Sequence, residues 1–98
     1  MKNAFGPWRL LVKLPDVTVL DAQGVAWVQA QLAGVGPITI LPGHAPLLAE
    51  TVTAPLHYRD GSGVHSLLVD AGVLRVQRGQ VVVYTTAASQ TASGKYDA

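Results

Sequence analysis

Short runs in which apolar and polar residues alternate recur along this chain, and turn residues separate them about every ten positions. Residues 9–14 alternate in this way, and residues 25–32 alternate again. We expect residues 21–24 to break the strand between them and residues 54–55 to end the strand that begins at residue 47. A period of two is typical of a β-strand, whose side chains point to opposite faces in turn. The Ala, Gln and Leu residues of 25–32 also suit a helix, but the strict alternation and the following Gly-Pro segment favour a strand. The pattern predicts an all-β sandwich or barrel.

A hairpin around the Arg-Gly turn at residues 78–79 gives the clearest prediction of strand pairing. Pairing about this turn sets Val76 opposite Val81 and Leu74 opposite Val83. These four apolar side chains then share one face, which we expect to be buried. The opposite, outer face is predicted to carry Arg75, Gln77 and Val82.

A second hairpin is predicted around the Asp-Gly-Ser-Gly turn at residues 60–63. Symmetric pairing places Tyr58 opposite His65 and His57 opposite Ser66. The two histidines then lie on opposite faces of the sheet, so they cannot bind one metal ion together.

Composition excludes several classes of protein. The chain has 98 residues, of which 49% are hydrophobic and 13% charged, as expected for one domain with a substantial core rather than a disordered chain. The net charge is +1 without a basic cluster, so we expect no nucleic-acid partner. No apolar run approaches the ~20 residues of a membrane span. There is no cysteine, and hence no disulfide or thiolate chemistry.

Catalytic patterns are missing as well. Ser62 falls in a predicted hairpin tip and not in a strand-to-helix nucleophile turn. The Gly-Val-Gly at 34–36 has no lysine or helix after it, so it does not resemble a phosphate-binding loop. We therefore predict no catalytic residue, no metal ligand and no cofactor.

Residues 38–48 are predicted to form a strand that runs into a rigid corner, with Ile38 and Ile40 on one face of the strand and Thr39 and Leu41 on the other. Pro42 and Pro46 fix their own φ angles and bias the preceding residues toward extended geometry, and Gly43 can adopt a positive φ. The corner has two interpretations, which both stay open. It is either a structural turn between strands or a rigid element that presents His44 to a partner.

This stretch, Ile-Thr-Ile-Leu-Pro-Gly-His-Ala-Pro-Leu-Leu with Gly36 before it, resembles the signature of the epsilon subunit of F-type rotary ATP synthases. Further segments that match the strands of that family in order and spacing are 10–21, 56–61, 68–76 and 81–83. The resemblance implies a flattened antiparallel β-sandwich of about ten short strands. The expected division is a lead-in over 1–8, the sandwich over 9–88 and a flexible tail over 89–98.

The resemblance also implies a function. Members of the family are non-catalytic subunits of the central stalk, or rotor, which bind the gamma subunit and the c-ring and couple rotation to ATP synthesis. Such a subunit would sit at the cytoplasmic face of the inner (plasma) membrane, reaching the membrane only through the complex. The positions that would face the polar c-ring loops are Val35, Gly36, Pro37 and Ile38. The positions at the gamma and c-ring contact are Leu41, Pro42, Gly43 and His44, with Ala45 and Pro46 beside them.

The sequence departs from the family pattern in three places. Pro37 stands where the family usually has an acidic residue, and the loop at 32–35 is tighter and less polar than usual. From Thr85 onward, Ser, Thr and Gly residues without an apolar stripe argue against the family's C-terminal pair of helices. We therefore expect neither ATP binding nor inhibition by such helices.

Two other functions remain as alternatives. The first is a stand-alone β-sandwich that binds a peptide or glycan. The second is a small hydrolase, which would need a carboxylate and a nucleophile within hydrogen-bond reach of His44.

Overall fold

The computed structural model describes residues 6–90, which form ten β-strands and no helix. The strands are β1 (Trp8–Lys13), β2 (Thr18–Val25), β3 (Trp27–Leu32), β4 (Gly36–Ile40), β5 (Leu47–Thr51), β6 (Ala54–Asp60), β7 (Gly63–Val69), β8 (Gly72–Gln77), β9 (Gln80–Tyr84) and β10 (Ala88–Gln90). The predicted all-β class is therefore confirmed. Within 6–90 there is also no helix long and apolar enough to cross a membrane.

The strands form two layers that share one core. Hydrogen bonds connect them in the order β10-β7-β6-β3-β5-β8-β9-β1-β2, with β4 paired to β3. A single residue pair, Leu32–Thr51, joins β3 to β5. The sheet therefore divides there into one layer of β10, β7, β6, β3 and β4 and a second of β5, β8, β9, β1 and β2. The largest fully buried side chains come from both layers: Leu10, Ile40, Leu56 and Leu74.

Strand pairing in the two predicted hairpins is confirmed. In β8–β9, Val76 pairs with Val81 and Leu74 with Val83, and all four side chains are buried. In β6–β7, Tyr58 pairs with His65 and His57 with Ser66. Turn chemistry and the alternation of apolar residues agreed at these two places, so the local sequence was enough to predict the register.

One strand pair is parallel, whereas an antiparallel sandwich was predicted. β1 lies parallel to β9, with Leu11 beside Val82, whereas the other pairs are antiparallel. Parallel neighbours need a long crossover and leave no local turn signal. The burial of Val82, which lies in this pair, also differs from the prediction. Its side chain points away from the core as predicted, yet it is only 2% exposed, and Leu11 beside it is buried too.

Several strand boundaries differ from those predicted. β2 continues to Val25 through residues 21–24, where a break was predicted, and Gly24 adopts a φ of 67° beside a register shift in the β1–β2 pair. β6 begins at Ala54, in a segment predicted to end the preceding strand. β10 includes Ser89 and Gln90, the first residues of the expected tail. The remaining tail residues and residues 1–5 lie outside the described part, so the division at 8 and 88 stays a prediction.

Candidate functional site

The β3–β4 hairpin presents the first group of predicted contact residues. Its three-residue loop is closed by a hydrogen bond from the Val35 amide to the Leu32 carbonyl at 3.3 Å, and Gly34 and Gly36 have φ angles of 75° and 100°. Val35 at the tip is 70% exposed, and Pro37 is exposed as well. Ile38 instead packs against the core. Of the four residues expected to face the c-ring, Val35 and Pro37 are therefore the accessible apolar side chains.

The corner after β4 is a tight turn. The His44 amide donates a hydrogen bond to the Leu41 carbonyl at 3.0 Å, which closes a four-residue turn over Pro42 and Gly43. Gly43 has a φ of 85°. Proline at the second position and a glycine of positive φ at the third define a type II turn. The local sequence thus determines the shape of the corner, and Leu41 at its start is 54% exposed.

His44 is oriented by its own neighbour. Its Nδ1 lies 2.7 Å from the carbonyl oxygen of Ala45. A carbonyl oxygen only accepts hydrogen bonds, so Nδ1 carries the hydrogen and donates. In the neutral ring Nε2 is then left with a lone pair, which can accept a hydrogen bond from a partner. Ala45 and Pro46, which complete the corner, are both exposed.

Strand β4 connects the tip and the corner. Side chains alternate between the two faces along β4 and the residue on either side of it. Four residues are therefore exposed on the outer side, and we call them the β4 ridge: Val35, Pro37, Thr39 and Leu41. At about 3.3 Å per residue, the ends of β4 are about 13 Å apart. The ten predicted contact residues therefore do not meet at one point. They form two groups that the ridge joins.

The outer face beside the ridge adds residues that the sequence did not assign to the site. The Gln29 side-chain amide donates to the Thr39 hydroxyl at 3.5 Å. Val28 pairs with Ile40, which places Trp27 next to Leu41 on the outer side, where its ring is half-buried. The alternation in the sequence places Thr39 on the same face as Leu41, so the signal for Thr39 was present there. Trp8, the other tryptophan, lies in the core.

A group of Asp60, Ser62 and His65 closes the tip of the β6–β7 hairpin. Asp60 Oδ1 accepts hydrogen bonds from the Ser62 amide and hydroxyl, both at 2.8 Å, and lies 2.9 Å from His65 Nε2. The Ser62 hydroxyl lies 2.9 Å from the same Nε2. Partial burial raises the pKa of Asp60, but these hydrogen bonds together lower it below its usual range. A nucleophile relay needs the serine and the carboxylate on different ring nitrogens, so this group stabilises the turn.

A second ionic contact lies on the outer face of the second layer. Arg9 binds Asp21 through two hydrogen bonds of 2.9 and 2.8 Å, and the bond to Arg9 holds the pKa of Asp21 below its usual range. Across residues 6–90, no three His, Asp or Glu side chains are arranged to hold a metal ion.

Together these features define a β-sandwich domain that presents a rigid apolar ridge and corner on one edge. The chain belongs to the delta/epsilon family of ATP synthase chains: residues 9–91 match the family described as "ATP synthase, Delta/Epsilon chain, beta-sandwich domain". It is 38% identical over 77 residues to the ATP synthase epsilon chain of Lawsonia intracellularis (strain PHE/MN1-00). That alignment covers 78% of this chain and 56% of the relative, so the chain spans little more than half of the relative's length.

Solved structures share the fold. A chain in the Euglena gracilis mitochondrial ATP synthase structure (OSCP/F1/c-ring) superposes with a TM-score of 0.76 at 20% identity, over 89% of this chain and 54% of that one. A chain in the Tetrahymena thermophila mitochondrial ATP synthase central stalk and c-ring structure gives 0.73 at 15% identity, over 93% and 72%. The predicted family resemblance is therefore confirmed.

Proposed function

We propose that this chain is the β-sandwich part of a non-catalytic central-stalk subunit of an F-type ATP synthase. In this role it binds the gamma subunit through the corner and the c-ring loops through the β3–β4 tip, and it carries rotation between them. It reaches the membrane through the complex, at the cytoplasmic face of the inner (plasma) membrane, and it needs no cofactor of its own.

The type II turn at Pro42 and Gly43 is the observation that supports this function best. Its geometry is set before any partner binds, so little conformational entropy remains to be lost on binding. Exposed Leu41 and half-buried Trp27 lie together beside the turn, and apolar and aromatic side chains of this kind form the centres of protein interfaces. His44 adds a fixed hydrogen-bond acceptor. A preformed surface suits a contact that must carry torque without slipping.

The two-layer core supports the same role. Side chains of both layers pack into one cluster, and close-packed interiors deform little under load. A force applied at the corner is therefore passed to the rest of the domain instead of being absorbed by local movement. The alternative of a stand-alone binding module would lead us to expect a hydrated surface, whereas Leu41, Val35 and Leu48 are each more than half exposed.

Binding to the gamma subunit of the same organism tests the proposal. We expect Leu41→Ser to weaken the complex by about fivefold or more, because truncating a central interface side chain costs over ~1 kcal/mol. Val17→Ser is the matched control, since Val17 is exposed to nearly the same extent, 52% against 54%, but lies in the β1–β2 connection. Equal affinities for the two variants, or no complex between folded proteins at micromolar concentration, would contradict the proposed contact.

A further inference from the structure

A cleft lies at the end of the second layer that is remote from the corner. It has a volume of about 420 Å³, within the range of small-molecule sites. The β1–β2 connection forms one wall with Leu14 and Pro15, and β8 and β9 form the other with Val73 and Tyr84. The corner leads into Leu47, which pairs with Val76 near the opposite end of β8. At about 3.3 Å per residue, Val76 lies about 10 Å along β8 from Val73 and about 13 Å from Gly72.

The walls of the cleft are held in position by hydrogen bonds. The Thr85 amide donates to the Lys13 carbonyl at 3.0 Å, and the buried Thr85 hydroxyl donates to the Asp70 carbonyl at 2.8 Å. The Gly72 amide donates to the buried hydroxyl of Thr51 at 3.0 Å. A site that is already formed loses little entropy when a ligand enters.

Lys13 is the cationic residue among those that line the cleft, and it shares a face of the sheet with Tyr84 and Val73, because Tyr84 pairs with both of them. The nearby carboxylate of Asp21 is occupied by Arg9, which binds both of its oxygens. Lys13 is close enough to contribute to the low pKa of Asp21 but forms no ion pair within residues 6–90. Among these residues, the Lys13 ammonium therefore has no carboxylate partner that would compete with an anion, and Thr86, which also lines the cleft, carries a hydroxyl that can donate.

We propose that this cleft binds a small amphipathic carboxylate. The apolar body of the ligand packs against Leu14, Pro15 and Val73, and its carboxylate pairs with the Lys13 ammonium. This site is separate from the proposed gamma and c-ring contact, and the two can be tested independently of each other.

The test uses 3-phenylpropionate as the probe and follows backbone amide signals of the full chain by NMR. We expect saturable shifts at Gly72, Val73 and Thr86, with an affinity in the low millimolar range that is usual for a ligand of this size. Two comparison probes separate the contributions. 3-Phenylpropionamide keeps the shape without the charge, and acetate keeps the charge without the apolar body; each should bind about fivefold more weakly or worse.

Protein variants test the role of Lys13. Lys13→Gln should weaken the binding of 3-phenylpropionate by about fivefold. Arg78→Gln removes the same charge in the β8–β9 turn, far from the cleft, and should leave binding unchanged. Absence of saturable shifts in the wild-type protein would overturn the proposal, and so would equal binding of the acid and its amide. The comparison between these two probes needs no variant, so it holds even if Lys13→Gln fails to fold.

Discussion

The Nδ1 of His44 lies 2.7 Å from the carbonyl oxygen of Ala45, the next residue in the chain. This contact and the Leu41–His44 turn bond hold the imidazole in one orientation at the corner. Because a carbonyl oxygen cannot donate, the contact selects the neutral tautomer with hydrogen on Nδ1. The acceptor that a partner would meet is therefore Nε2.

We predict that His44 populates the Nδ1–H tautomer in the free protein. The measurement is a long-range ¹H–¹⁵N spectrum at about pH 8, where imidazole side chains are ordinarily neutral. His57 is the internal comparison, because its Nδ1 lies 2.6 Å from the Ser66 hydroxyl, which can donate or accept and so selects neither tautomer. A dominant Nε2–H form of His44 would show that the Ala45 contact does not persist in solution.

We predict that Gly72→Ala destabilises the fold. A Cβ built at Gly72 would collide with the backbone carbonyl oxygen of Tyr84. That carbonyl belongs to the strand pair in which Val73 lies opposite Tyr84, so it cannot move away without disturbing the pairing. Overpacking of this kind typically costs ~1–3 kcal/mol, to be measured as the free energy of unfolding in urea. Ala71→Ser, at an exposed neighbouring position, should change it by less than about 0.5 kcal/mol. Equal effects of the two changes would argue against this close approach.

We predict that Trp8→Phe is tolerated. The Trp8 ring is only 4% exposed, and its Nε1 is buried without a hydrogen-bond partner. Phenylalanine keeps most of the apolar ring and removes the unpaired donor, so the free energy of unfolding should change by less than about 1 kcal/mol. Trp8→Ala, which empties the site, should cost ~3–5 kcal/mol. If the free energy of unfolding fell by several kcal/mol in both variants, the Trp8 Nε1 would have to make a stabilising hydrogen bond in solution.

We predict that Asp60 contributes to acid sensitivity. Burial raises its pKa, but the hydrogen bonds from Ser62 and His65 together outweigh this effect. The pKa of Asp60 in the folded protein therefore lies below its unfolded value of about 3.9. The resulting stability is present above about pH 4 and is lost as the pH falls through the folded value. Asp60→Asn should therefore flatten the decline of the unfolding free energy between about pH 5 and pH 2. Asp16→Asn removes the same charge in the exposed β1–β2 connection and serves as the control. Identical acid profiles for wild type and Asp60→Asn would contradict the prediction.

Local patterns predicted much of the fold and of the candidate site. The Arg-Gly turn set the β8–β9 register, and the run of alternating residues before Pro42 separated Thr39 and Leu41, which are exposed, from Ile38 and Ile40. The prediction failed where the pattern was misleading. The polar residues at 21–24 suggested a break, yet β2 continues through them because they pair with β1, with Leu11 opposite Asp21 and Leu10 opposite Ala22. Ile38, one of the residues expected to face the c-ring, packs against the core from β4, and its contact with a partner stays a prediction.

The sequence by itself determined the all-β class, the two hairpin registers and the type II turn, because each follows from residues within a few positions of one another. Only the tertiary structure decided that β1 lies parallel to β9, with the buried residues Leu11 and Val82 side by side on the outer face. It also decided that Lys13, Val73 and Thr86 surround one cleft. These residues are far apart along the chain, and no local turn or alternation specifies which strands of a sandwich become neighbours.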